Sequence, residues 1–73
     1  MQRDHFNAII ADIEKGREGD AYGLRISMRN GEVYDGGWRF LAEAPDVLVI
    51  DNRGGHPTYI ALPAVATVGE ALL

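Results

Sequence analysis

Residues 22–40 read YGLRISMRNGEVYDGGWRF, from Tyr22 to Phe40, and the way the chain turns at Asn30-Gly31 decides the fold. An Asn-Gly pair between two alternating apolar runs is the strongest short-range signal for a β-hairpin. Before it, Tyr22, Leu24, Ile26 and Met28 share one face and Gly23, Arg25, Ser27 and Arg29 the other; after it, Tyr34, Gly36, Trp38 and Phe40 lie opposite Val33, Asp35, Gly37 and Arg39. A two-residue loop would set Asp35 against Ile26 and put a carboxylate on the apolar face. A three-residue loop, with Gly31 in the left-handed region as a bulge, pairs Ile26 with Tyr34, Leu24 with Gly36 and Tyr22 with Trp38. The second register is the one expected. Gly36-Gly37 then falls in mid-strand, where missing side chains permit a bend that lets one short strand serve both halves of a small barrel.

Outward from the hairpin the pattern changes period. Residues 2 to about 15 read as a helix, because Phe6, Ile9, Ile10 and Ile13 follow helical spacing and Gly16 and Gly19 offer stops. A helix this short frays alone, so its stripe must dock on a sheet. Beyond the hairpin, residues 41–45 read as a connector ending in Pro45, residues 46–50 as a β-branched central strand, and residues 51–57 as a turn. Residues 58–62 form a short strand, Pro63-Ala64 interrupts it, and residues 65–68 form the last. The expectation is one domain over residues 1–73, mainly β with an N-terminal α-helix (about 2–15) and a small open five-stranded barrel (about 21–69).

A chain of 73 residues buries only about 60% of its extended surface and is marginal alone. Small domains add disulfides, metals or partner subunits, but there is no cysteine, and His5 and His56 have no acidic or imidazole partner at ligand spacing. No metal or other cofactor is expected, and oligomerisation is the remaining route. Seven Lys and Arg against eleven Asp and Glu give a net charge of −4 and a pI near 4.9, so a nucleic-acid ligand would need a local basic patch. No signal peptide, transmembrane run or lipidation motif is read, and the lack of cysteine fits a reducing compartment; the cytoplasm is expected, with no membrane partner.

Residues 57–69 carry no formal charge, although exposed sheet edges are normally guarded by lysines, inward charges or bulges. One reading buries both final strands in the core, with Pro63 as the only edge device. The other makes them the edges through which copies of the chain pair, with Tyr59, Ile60, Leu62, Val65 and Val68 at the subunit interface.

The order of helix, five short strands, Asn-Gly hairpin, bent second strand and broken final strands resembles the Sm-like family (LSm and Hfq proteins). Residues 26–36, ISMRNGEVYDG, look like its first motif, and residues 59–68, YIALPAVATV, like its second. The resemblance covers about residues 2–68. It implies an open barrel capped by the helix, a ring made by pairing the fourth strand of one subunit with the fifth of the next, and single-stranded RNA as partner. Family RNA pockets place a basic or Arg-Gly pair between the last two strands and an Asp, often with an Asn, around the third. The matching positions here are Leu62 and Pro63, and Ala44 and Leu48, so the base pocket is expected to be altered or weakened.

Trp38 and Tyr34 share the apolar face and are read as packing residues rather than base-stacking ones. Tyr59 is the better stacking candidate of the three, with a subunit-interface aromatic as its favoured reading. Arg25, Arg29 and Arg39 on one face of the hairpin, with Arg53 in a glycine loop and His56 beside it, are the candidate contacts for RNA or a protein partner. Glu32 and Asp35 lie among them and partly neutralise the patch. Asp46 and Asp51 are too far apart for a carboxylate pair, and Ser27, Thr58 and Thr67 have no nearby base, so no catalytic residue is read. The sequence points to a non-enzymatic ring-forming module, with a structural or protein-interaction homo-oligomer as the alternative.

Overall fold

The computed structural model describes residues 1–52 and 55–71. Helix α1 (Arg3–Lys15) precedes five strands, β1 (Gly23–Met28), β2 (Val33–Leu41), β3 (Ala44–Asn52), β4 (Pro57–Ala61) and β5 (Val65–Ala71), with a 3-10 turn, Leu62–Ala64, before the last. The strands pair antiparallel in the order β4-β3-β2-β1-β5. Because β4 and β5 stand at the two ends of that order, the sheet is open. The mainly β architecture with an N-terminal helix is the one the sequence implied.

The hairpin takes the bulged register, with Ile26 opposite Tyr34 and Leu24 opposite Gly36. The Gly31 N–H donates to the Met28 carbonyl at 3.0 Å and the Met28 N–H to the Glu32 carbonyl at 2.8 Å, while Asn30 Oδ1 accepts from the Glu32 N–H at 3.0 Å. Gly31 closes the turn at φ 92°, a conformation that costs a residue with a Cβ about 1–2 kcal/mol. Tyr22 falls just before β1, so its approach to Trp38, with ring centroids 6.3 Å apart, is a side-chain contact and not a ladder pair.

The bend expected at Gly36-Gly37 centres on Gly36. This residue pairs with Leu24 on one side and with Asn52 on the other, so β2 gives its first half to β1 and its second to β3. At φ 144°, a Cβ on Gly36 would drive into the Asp51 carbonyl oxygen. Glycine is required there by both backbone angle and space.

Several boundaries differ from the sequence reading: Asp51 and Asn52 extend β3, Pro57 begins β4, and Leu62 belongs to the 3-10 turn. Residues 41–45 are not a connector: only Ala42 and Glu43 lie between β2 and β3, and Pro45 is inside β3. Leu41 pairs with Ala44 but Phe40 with Leu48, so residues 45–47 bulge out of the β2 ladder, where the missing proline N–H is not needed. Strand β5 also runs on to Ala71, adding Gly69, Glu70 and Ala71 opposite Arg25, Leu24 and Gly23.

Phe6 and Ile10 of α1 enter a core completed by Leu24, Ile26, Leu48, Ile50, Ile60, Leu62 and Val65. Phe6 is fully buried and meets Phe40 and Trp38 edge-on, at centroid distances of 5.2 and 5.8 Å. Trp38 and Tyr34 pack against this cluster. Ile60, Leu62 and Val65, expected at a subunit interface, are buried within the single chain. Their exposures of 2%, 1% and 2% put them inside their own chain, because the alternation of β4 and the 3-10 turn direct them to the core.

Candidate functional site

The feature that stands out is the pair of sheet borders. β4 has β3 on one side only and β5 has β1 on one side only. In an antiparallel strand alternate residues aim both N–H and C=O away from the paired neighbour, so each border presents a row of main-chain donors and acceptors. Over residues 57–69 no side chain on either border is charged, and Glu70 enters only near the end of β5. Ala61, Ala66 and Thr67 are exposed and small, leaving both borders sterically open. Tyr59 is the large exception, 59% exposed on β4, while Val68 is partly buried against the core.

Tyr59 lies opposite Val49, which lies opposite Arg39, so the three form a row across β4, β3 and β2 on the face away from the core. Val49 is nonetheless fully buried and therefore covered on that face. Arg25 is on the same outer face, opposite Asp35 on β2 and Gly69 on β5.

Arg29 departs from the expected grouping with Arg25 and Arg39. Its N–H donates to the Ala64 carbonyl at 2.9 Å, which ties it to the 3-10 turn, and it lines a cleft with His5. Among the described residues, Arg29 thus lines this cleft while Arg25 and Arg39 lie on the outer face of the sheet. His56 is exposed at the start of β4, where its carbonyl accepts from Asn52 Nδ2 at 2.9 Å; the same amide donates to Thr58 Oγ1 at 2.6 Å. Arg53 lies outside the described residues.

Sequence reading missed the residues that clamp α1 to the sheet. Arg17, just past the helix, forms an ion pair with Glu70 on β5, and its guanidinium stands 5.7 Å from the Tyr22 ring centroid. The Tyr22 hydroxyl donates to Glu14 at 3.0 Å. Burial, then this hydrogen bond to Glu14 and the charge beside it, push the Tyr22 phenol up to about 12. At the other end of α1, the Arg3 guanidinium lies 3.4 Å over the Phe40 ring and donates to the Pro45 carbonyl. The Arg17–Glu70 pair and the two Arg3 contacts join residues 37–53 positions apart, and no local pattern announces them. Among the described residues there is no cluster of three or more His, Asp or Glu positioned to hold a metal, and no helix long and apolar enough to cross a membrane.

No family model, no curated protein and no solved structure matches this chain.

Proposed function

We propose that the protein is a non-enzymatic module that assembles with copies of itself, β4 of one beside β5 of the next, into a closed Sm-like ring in the cytoplasm. The observation that carries the reading is the strand order: β4 and β5, which carry no charge over residues 57–69, are the two borders of one sheet. A head-to-tail contact between different borders closes into a ring when the rotation per copy permits. Since Ile60, Leu62 and Val65 are occupied inside the chain, the contact consists of main-chain hydrogen bonds, with Tyr59 and the rim of Val68 adding apolar area. Thr58 supports the non-enzymatic reading, because its hydroxyl meets the Asn52 amide and not a base.

The ring's proposed partner is single-stranded RNA, held through Arg25, Arg39 and Tyr59 on the outer face, with an altered base pocket where Leu62 and Pro63 replace polar residues. The division of the basic side chains and the net charge of −4 favour the second reading, a structural or protein-interaction homo-oligomer. Two measurements on one sample separate these outcomes. Amide hydrogen exchange in β4 and β5 should slow as protein concentration rises while exchange in β3 stays constant; equal rates at all concentrations would remove the ring. Anisotropy titration with uridine-rich and adenine-rich oligonucleotides should give binding that weakens with salt. A ring without such binding leaves the structural reading.

A further inference from the structure

The first turn of α1, the residue after β1, the start of β3 and the 3-10 turn border an open cleft of about 510 Å³ in which His5, Arg29 and Asp46 are exposed. That is within the range of small-molecule sites, about 300–1,000 Å³. His5, Arg29 and Asp46, with Gln2 and Arg3, supply its charged and polar lining, and Met1 and Pro63 its accessible apolar part. A neighbouring hollow of about 620 Å³ shares His5 and Arg29, so these two side chains stand between two openings.

The charged groups here differ in how they are used. Arg3 is committed, to Asn7 Oδ1 at 3.2 Å, to the Pro45 carbonyl and to the Phe40 ring. Among the described residues, the Arg29 guanidinium and the Asp46 carboxylate make no ion pair, with each other or with anything else, although they line one cleft. Arg29 is fixed from behind by its main-chain bond to Ala64, so its side chain starts from a set point on the wall. Opposite charges held on one cleft without meeting leave room for a ligand that satisfies both. A guanidinium fork matches an oxyanion in two parallel hydrogen bonds. An ionised aspartate only accepts, so it selects an N–H or O–H donor and repels a second anion.

We propose that this cleft binds a small two-ended molecule: an oxyanion, from a phosphate ester or a carboxylate, held by Arg29 and His5, and a hydrogen-bond donor directed to Asp46, with the body against Met1 and Pro63. The site is built from one chain and does not depend on ring formation.

The test is an amide NMR titration of the full chain with adenosine 5′-monophosphate, with leucine, with adenosine and with inorganic phosphate. Saturable shifts confined to residues 2–6, 28–30, 46–47, 62 and 64–65 are expected with the nucleotide or with leucine; the first identifies a phosphate ester and the second a carboxylate. Arg29→Gln and Asp46→Asn should each weaken binding about tenfold or more, while Lys15→Gln, exposed in the last turn of α1, leaves it unchanged. Arg29→Lys, which keeps the charge but loses the fork, should also weaken it, and serves if Arg29→Gln does not fold. The inference is overturned if neither ligand shifts these amides up to about 10 mM, or if the Arg29 variants bind as the parent does. It is also overturned if inorganic phosphate binds as tightly as the better ligand, which would show an anion site with no second end.

Discussion

Tyr59 and Ile60 are neighbours on one border strand, and truncating each to alanine separates folding from assembly. Ile60 is 2% exposed and directly opposite Leu48 in the core, so Ile60→Ala removes buried methyl groups and leaves a cavity, at a cost of about 2–5 kcal/mol. A domain of 73 residues has about 4–11 kcal/mol in total, so the variant loses a large share of its stability. With a urea slope of about 1 kcal/mol/M for so small a chain, the midpoint falls by about 2 M or more. Tyr59 is 59% exposed, and Tyr59→Ala should cost the isolated chain under about 0.5–1 kcal/mol. In the ring the same truncation removes an aromatic anchor from the contact, and it should shift assembly to higher concentration. Urea unfolding followed by circular dichroism gives the first quantity, at a dilution where the midpoint no longer moves with concentration. Sedimentation gives the second. If Tyr59→Ala unfolded the dilute chain more than Ile60→Ala, the register of β4 argued above would be wrong.

Gly36→Ala should destabilise by about 1–3 kcal/mol or more through its backbone angle and the collision with the Asp51 carbonyl, whereas Gly37→Ala, with open space beyond it, should cost far less; equal losses in urea unfolding would count against the bend at Gly36. Thr67→Lys puts a charge on the exposed β5 border, and the expected result is an unchanged dilute-chain midpoint with weakened oligomers by sedimentation; an intact oligomer would argue against β5 as the contact. For Tyr22, the folded chain favours the neutral phenol, raised from 10.0 to about 12, so its contribution is complete below pH 10 and lost as pH rises through about 12. Subtracting the Tyr22→Phe titration at the tyrosinate absorbance band from that of the parent should leave a step near 12; a difference step near 10 would contradict the Tyr22–Glu14 contact.

Most of the fold was legible because the decisive signals are local. The Asn30-Gly31 turn and two-residue alternation fixed the hairpin register, since a slip would have buried Asp35. The stripe of Phe6 and Ile10 likewise found the helix and its buried face. Pro45 misled, because a proline reads as a stop unless a bulge removes the need for its N–H, and the bulge depends on how β3 meets β2. Glu70 misled in the same way: its charge ended the uncharged run, yet Arg17, 53 residues earlier, lets it sit on a strand. The candidate surfaces were less readable. Uncharged strands marked the two borders, but which side chains on them point inward depends on register, and Ile60, Leu62 and Val65 point to the core. The cleft at Arg29 joins four segments distant in sequence, and only the folded chain brings them together.

Native mass spectrometry of the unmodified chain at micromolar concentration tests the central claim most directly. The proposed pairing of β4 with β5 of the next copy predicts one dominant species of fixed copy number, three or more, with few intermediates. A spectrum containing monomer alone, unchanged as concentration is raised, would contradict it.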